Sequence, residues 1–316
     1  MSQNIVEKLR EESVKRLFKT TTFANVWPRW KQVIHSYANT PTPTQILNIA
    51  DSLREVFYST NTNEGRTQDS LSGGGTVWES LVCWYLNVCN IGRRTVCIKH
   101  HKSLIPTPIS NAITVNYGNI PSNSESDLIV ITFPNKPEYN VDKTQITIND
   151  ENDLPVMLCM RENYNFLKVL NALVRRDFRD IEIHIIQCKT NWNDNAQIPM
   201  LWDMIYSASA FREGISIGRE GFNIRNARKF TYSFVTVPTV RIDSIKPTSV
   251  CVSRVKSLSG GNYWGCCSKQ GVADSLKELL NRHLSTGSDN SHLDSIRENI
   301  SKLHGGGDYS YFDFPF

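Results

Sequence analysis

A glutamine and a lysine at the end of a β-branched run have the side chains most suited to chemistry. The run spans residues 181–189 and reads IEIHIIQCK, so it closes on Gln187 and Lys189. Alternate side chains of a β-strand share a face, which places both residues in line with three isoleucines. An ammonium group that continues a buried face is costly unless it meets an anion. We therefore expect a carboxylate or a phosphate beside Lys189.

Asp127 is the candidate partner, because it opens a second apolar segment that reads as a strand, 127–133. A carboxylate at that position can pair with Lys189, and carboxylate oxygens also suit a hard divalent cation. The two strands would then bring an acid and a lysine into one site. The simpler alternative is that Asp127 ends a turn and that Lys189 is a solvated strand end.

Glu79 lies in a segment, 76–90, whose apolar spacing predicts a helix. Two interpretations of this residue remain open. Thr76 and Glu79 fit a capping box, in which the glutamate reaches back to the first amide of the helix. Glu79 also shares a helix face with Val82 and Leu86, which predicts that it points inward.

Together these residues resemble the PD-(D/E)xK phosphodiesterases, and within them the Type II restriction endonucleases. The resemblance covers about residues 76–211, under half of the chain. In that family a helix often carries a glutamate, the next strands an aspartate, and a later strand an acid-x-Lys motif. The matching positions here are Glu79, Asp127, Gln187 and Lys189. Gln187 departs from the pattern, since the family most often has an acid there, although similar replacements occur among restriction enzymes and transposon-end nucleases.

The resemblance implies a Mg²⁺-dependent endonuclease that cuts double-stranded DNA at a short site. Asp127 would be an anionic metal ligand, the backbone carbonyl of Cys188 a neutral one, and Gln187 would offer its amide oxygen. Glu79 would add a second negative charge or hold a water of the metal. Lys189 would orient or deprotonate the attacking water and balance the phosphate charge. A palindromic target would suit a homodimer, since protein symmetry mirrors site symmetry.

For DNA contact the clearest stretch is 212–229, in which arginines and a lysine alternate with glycines. Arginine can grip phosphate or read guanine, and glycine lets the backbone approach closely. A second, weaker candidate lies at 256–269, and a polar loop follows the Gln-x-Lys motif. A basic solvated loop and a helix cap are the alternatives. The residues expected at DNA are Asn193, Asp194, Arg219, Arg225, Arg228, Lys229, Asn262, Tyr263 and Lys269.

The composition is that of an ordinary globular protein, with 40% hydrophobic and 21% charged residues among 316. A net charge of +4 is compatible with nucleic acid but does not demand it. The longest apolar runs are far too short for a membrane span, and the N-terminus has no secretory core, so we expect a cytoplasmic protein without a membrane partner. The eight cysteines lack zinc spacing and are expected to be buried free thiols.

The order of predicted elements indicates an α/β fold with a central mixed sheet flanked by helices. We expect a helical N-terminal region at 1–70, a nuclease core with DNA-recognition loops at 71–285, and a linker, helix and aromatic tail at 286–316. Residues 61–75 are predicted to form a loop because they are polar and end in glycines. The extra C-terminal strands are expected at 232–237, 240–245 and 250–255.

Three other readings remain open from the sequence. A transposon-end or repair nuclease with the same core would need a partner protein, whereas a restriction enzyme cuts alone. An inactive DNA-binding relative is favoured by Gln187, while Asp127 and Lys189 count against it. A general α/β protein with a chance match to two short motifs is the fourth possibility.

Overall fold

The computed structural model describes residues 3–37, 41–60, 68–122, 126–160, 163–190, 192, 195–208 and 214–315. Asn193 and Asp194, two of the predicted DNA contacts, lie outside the described residues. The helices are α1 Ile5–Lys19, α2 Thr21–Tyr37, α3 Pro43–Asn48, α4 Leu53–Tyr58, α5 Gln68–Cys89, α6 Thr107–Ile113, α7 Phe166–Arg176, α8 Gln197–Ser207, α9 Val250–Val255, α10 Leu276–His283 and α11 His292–Asn299.

A six-stranded mixed sheet forms the centre of the α/β fold, as the sequence predicted. The strands of the protein are β1 Thr95–Lys99, β2 Val115–Tyr117, β3 Ile120–Ser122, β4 Leu128–Thr132, β5 Cys159–Met160, β6 Asn163–Tyr164, β7 Glu182–Lys189, β8 Ile215–Ile217, β9 Lys229–Thr236, β10 Asn262–Trp264 and β11 Asp274–Ser275. The strand order of the six-stranded sheet is β1-β4-β7-β9-β10-β11. Its first three strands pair antiparallel, and the strands from β7 to β11 run parallel. Two smaller antiparallel sheets have the orders β3-β2-β8 and β5-β6.

Helices cover both faces of this sheet, because the central strands are apolar on both sides. In β7, Ile186 and Cys188 join a first hydrophobic cluster with residues of α2, α3, α4 and α5. Ile183 and Ile185 join a second cluster with residues of α6 and α7. Alternate residues of one strand therefore serve two cores. This double burial explains why the strand reads as a nearly continuous apolar run.

The aromatic tail docks on the body of the same chain. Phe312 and Phe314 are buried in the first cluster together with residues of the N-terminal helices. Trp84 of α5 donates its indole N–H to the carbonyl oxygen of Phe312 at 3.0 Å. The indole N–H of Trp27 of α2 donates to the side-chain carboxylate of Asp313 at 2.8 Å.

Several predicted elements were wrong. Helix α5 begins at Gln68, so the glycines before Thr76 are helical and not part of a loop. The strand expected at 250–255 is α9, whose Cys251, Val252 and Val255 are buried at helical spacing. The strand expected at 240–245 contains a 3₁₀ turn at 242–244. In α9, burial at helical spacing overrode the β-branched composition.

All eight cysteines are free, but Cys159 and Cys267 are exposed, so burial was predicted correctly for only the other six. Among the described helices, none has an apolar stretch long enough to cross a bilayer.

Candidate active site at one edge of the sheet

Three strand ends meet at one edge of the central sheet. The antiparallel register pairs Lys99, the last residue of β1, with Leu128, the first residue of β4. Leu128 in turn pairs with Ile186 of β7, three residues before Lys189. Lys99, Asp127 and Lys189 are therefore delivered to the same edge. Helix α5, which packs on this part of the sheet, adds Glu79.

The carboxylate of Asp127 joins the two strands at this edge. Its Oδ2 accepts a hydrogen bond from the backbone N–H of Cys188 at 2.7 Å. The same oxygen lies 3.8 Å from Lys189 Nζ, and both side chains are partly buried. The sequence predicted a carboxylate partner for Lys189, and the structure confirms this pairing. Their catalytic role stays a prediction.

Glu79 lies well inside α5, which excludes the capping-box interpretation. Thr76 is eight residues past the first residue of the helix, so its amide is not a helix end. The Glu79 carboxylate lies 3.3 Å from Lys99 Nζ. Lys99 also donates to the carbonyl oxygen of Thr76 at 2.6 Å and to Ser80 Oγ at 3.0 Å. The helix and β1 are thereby tied together beside the Asp127–Lys189 pair.

Burial raises the pKa of Glu79 above its ordinary value. The ammonium group of Lys99 opposes this rise, while the negative charge of Asp127 adds to it. The two carboxylates are therefore close enough to repel each other. Such an arrangement favours a proton or a cation between them.

A pocket of about 260 Å³ opens at this place, and Glu79 and Asp127 both line it. Its other lining residues are Lys99, His100 and Ser126. His100 Nδ1 lies 2.8 Å from Ser126 Oγ and 3.0 Å from the Ser126 carbonyl oxygen. These three residues were not predicted from the sequence to belong to the site. One signal was present, since Lys99 closes an apolar strand as Lys189 does.

Gln187 is placed differently from the other predicted site residues. Its side chain is fully buried, and its Oε1 accepts a hydrogen bond from the Tyr232 hydroxyl at 3.0 Å. Tyr232 belongs to the second cluster. Gln187 is not among the described residues that line the pocket. The metal-ligand role predicted for its amide has no support in this arrangement.

The carboxylate oxygens of the pocket are few, but they suit Mg²⁺. Among the described residues, no group of three or more His, Cys, Asp or Glu side chains is placed to hold a metal ion. Mg²⁺ needs fewer protein ligands, because it keeps several waters and often binds through one or two carboxylates. Asp127 and Glu79 provide those, and their mutual repulsion would be relieved by a cation. The backbone carbonyl of Cys188 as a further ligand stays a prediction.

The predicted DNA contacts Arg228 and Lys229 lie at the opposite edge of the sheet. The parallel register pairs Lys229 with Glu182 at the start of β7 and Thr236 with Lys189 at its end. The two ends of β7, residues 182 and 189, are seven residues apart, so the two edges are separated by about 23 Å. Arg228 Nε lies 3.5 Å from the buried carboxylate of Glu182. Neither cation adjoins the pocket.

Three further predicted contacts are held by the protein itself. Tyr263 is fully buried in the first cluster, so the prediction that it contacts DNA was wrong. Lys269 donates to the carbonyl oxygens of Ile242 and Ile245, both at 2.8 Å. Asn262 donates to the carbonyl oxygen of Val272 at 2.8 Å. Asn262 and Tyr263 belong to strand β10.

Arg219 and Arg225 are the two predicted contacts that remain exposed in the described segment 214–226. Arg219 lies in a turn closed by an antiparallel bridge to Phe222. Arg225 donates to the carbonyl oxygen of Ala208. Both can present positive charge to solvent.

Comparison with models of known protein families gives no match for this chain, and no curated protein is recognisably similar to it. The candidate function therefore depends on the residues and their geometry.

Proposed function

We propose that the protein is a Mg²⁺-dependent endonuclease that hydrolyses phosphodiester bonds of double-stranded DNA, in the manner of Type II restriction enzymes. The supporting observation is a pocket at one sheet edge that Asp127, Glu79 and Lys99 line, with Lys189 paired to Asp127. Phosphodiester hydrolysis needs an attacking water, stabilisation of charge on the phosphoryl oxygens, and help for the leaving oxygen. Carboxylates and ammonium groups in contact are suited to these tasks.

Asp127 would bind the metal directly in this proposal, and Glu79 would hold one of the metal's waters. A bound Mg²⁺ would act as a Lewis acid that stabilises charge on the phosphoryl oxygens. Lys189 Nζ, held near Asp127, orients the attacking water and offsets the phosphate charge. The Cys188 amide fixes the Asp127 carboxylate, which keeps this geometry in place before DNA binds.

Glu79 is suited to accept a proton from the attacking water. Its pKa is raised by burial, and a base works best when its pKa lies nearer to the operating pH. Lys99 beside it opposes this rise in pKa and so favours the charged carboxylate. The other parts of the proposal, a short specific site, a homodimer and a cytoplasmic location, come from the sequence.

The test compares the parent protein with Lys189→Ala on long mixed-sequence DNA, with Mg²⁺ and with EDTA. We expect discrete fragments with Mg²⁺ only, and a cleavage rate lowered about 10²-fold or more in the variant, since positioned proton-transfer groups contribute that much. Lys302→Ala, at an exposed lysine outside every predicted site, is the matched control and should cleave like the parent. Mapping the fragment ends would give the target site.

Two other outcomes would contradict the proposal. Salt-sensitive binding without cleavage by the parent would favour a partner-dependent nuclease or an inactive relative, and the engaged amide of Gln187 also favours the latter. Neither binding nor cleavage would mean that the Asp127–Lys189 pair serves the fold alone.

A further inference from the structure

The hairpin formed by β2 and β3 carries an apolar row out of the protein core. In the small sheet Tyr117 lies directly opposite Ile120 on one side and Ile215 of β8 on the other. Val115, on the same face two residues earlier, is buried in the second cluster. Tyr117 and Ile120, by contrast, are 70% and 67% exposed. The apolar face of the hairpin therefore starts in the core and ends in solvent.

This hairpin belongs to the same end of the sheet as the pocket. Ile113, two residues before β2, accepts a hydrogen bond at its carbonyl oxygen from Tyr206 at 2.6 Å. The Tyr206 ring lies 5.9 Å from that of Tyr232, whose hydroxyl donates to Gln187 near the end of β7. The other strand of the hairpin ends at Ser122, five residues before Asp127. Five residues span at most about 18 Å.

The segment that carries the hairpin has no carboxylate of its own to repel a polyanion. No aspartate or glutamate occurs from residue 100 to 124, although 31 of the 316 residues are acidic. The histidines and lysine in that stretch are His100, His101 and Lys102. A carboxylate that bonds to this segment comes from Glu220, which accepts a hydrogen bond from Asn111 Nδ2 at 2.7 Å. A phosphate backbone can therefore approach the hairpin without meeting a carboxylate of its own segment.

The outer strand of the hairpin is poorly suited to pairing with another protein strand. β3 is an edge strand, and its central residue is Pro121. Proline lacks the N–H that a neighbouring strand would need, and it is a common means of blocking edge-to-edge association. This favours DNA over a second copy of the chain as the molecule that covers Tyr117 and Ile120.

We propose that the β2–β3 hairpin is a wedge that enters a groove of the duplex held at the pocket. Tyr117 stacks on an exposed base or sugar, and Ile120 fills the space at the adjacent base step. Apolar side chains inserted in this way unstack a step and bend the duplex. The enzyme would thereby select sites that deform easily as well as sites with the right bases. This inference rests on the proposed function and names the element that engages DNA.

The test measures binding of a fluorescein-labelled pool of random-sequence duplex by fluorescence anisotropy in EDTA, where cleavage is absent. The variant is the double substitution Tyr117→Ser with Ile120→Ser. Met157→Ser is the matched control, because Met157 is also 67% exposed and apolar. We expect the double variant to bind about tenfold more weakly or worse, given the usual contribution of base–aromatic stacking, and the control to bind like the parent. The salt dependence of binding should be unchanged, since no phosphate contact is removed.

Each alternative result has a separate meaning. If the parent binds and the double variant binds equally well, the wedge is wrong while the proposed nuclease stands. A reduced salt dependence in the double variant would show that phosphate contacts were lost, and the wedge would again be wrong. If light scattering shows that the double variant changes oligomeric state, the hairpin is an interface between copies. If the parent does not bind duplex DNA at all, both proposals are overturned.

Discussion

At the level of single residues, two ion pairs lie close enough at the candidate site for the charge of one to shift the pKa of the other. Glu79 lies 3.3 Å from Lys99, and Asp127 lies 3.8 Å from Lys189. Burial nevertheless holds the pKa of Glu79 above its ordinary value, because Lys99 only partly offsets it and Asp127 adds to it. A carboxylate in that state changes its charge at a higher pH than one in water. The cleavage rate is therefore expected to depend on pH through Glu79.

Glu79→Gln is expected to change how cleavage depends on pH. In the parent, the rate should fall as the pH drops through the raised pKa of Glu79, because the proton acceptor is lost. The glutamine variant should be slower at neutral pH and should lack that acid limb. Single-turnover cleavage rates across a pH series measure both effects.

Glu55→Gln, at an exposed carboxylate, is the control for this experiment and should keep the parent profile. A Glu79→Gln variant that retained the full rate and the same acid limb would show that Glu79 is not the proton acceptor.

At the level of elements, the strands that carry Asp127 and Lys189 could be predicted because their apolar patterns are strong and local. The helix that carries Glu79 could be predicted from its spacing, but its beginning could not. Thr76 and Glu79 satisfy a capping motif in sequence, and only the extension of α5 back to Gln68 shows that the motif is not used. A short sequence motif shows that a segment can form a cap, but it does not show where the helix begins in the folded protein.

The partners within the site could not be predicted in the same way. Lys99 and Glu79 come beside Asp127 because β1 pairs with β4, and this pairing joins segments about 30 residues apart in sequence. Gln187 has the expected strand position, yet its amide is engaged by Tyr232 on the neighbouring strand β9. Both facts depend on sheet order, which no short motif contains. The same reason explains why Arg228 and Lys229 were expected near the site and lie at the other edge.

Two glycines inside helix α5 lower its stability. Gly74 and Gly75 lie inside the helix, and a Cβ atom added at either position would meet nothing within 4 Å. Glycine costs helices about 0.5–1 kcal/mol relative to alanine. Gly75→Ala should therefore raise the free energy of unfolding by about that amount, measured by urea denaturation, without loss of cleavage.

Gly92→Ala provides the contrast, because that glycine has a φ of +72° and its added Cβ would collide with Asn299. It should destabilise the protein. Destabilisation by Gly75→Ala as well would mean that the glycine half of α5 needs its flexibility or is not helical in solution.

At the level of the whole molecule, the first cluster joins the N-terminal helices, the sheet and the C-terminal segment into one core. Helix α11 contributes Ile296 to it, and the tail contributes Phe312. His292, the first residue of α11, is buried, and its Nε2 lies 3.3 Å from Asn90 Oδ1 of the segment after α5. The packing of chain ends against the centre therefore includes a titratable group.

Acid should destabilise the protein well before its carboxylates are protonated. Burial, with the nearby charge of Arg93, lowers the pKa of His292 to about 3, and burial lowers that of His283 to about 4. An unfolded histidine takes up its proton near pH 6.5, so the unfolded state binds more protons between these values. The stabilisation is complete above about pH 6.5 and is lost as the pH falls toward 3. By pH 5 the buried His292 should cost about 2 kcal/mol, and the half-buried His283 less.

His292→Gln should remove one such contribution, since glutamine can still donate to Asn90 but does not titrate. Urea denaturation from pH 7 to pH 5 should show a free energy of unfolding that falls by about 2 kcal/mol less in this variant than in the parent. His35→Gln, at an exposed position, should follow the parent curve. Glu79, whose pKa is raised, is present in both proteins, so equal curves for the parent and His292→Gln would show that His292 is protonated or solvated in the folded protein.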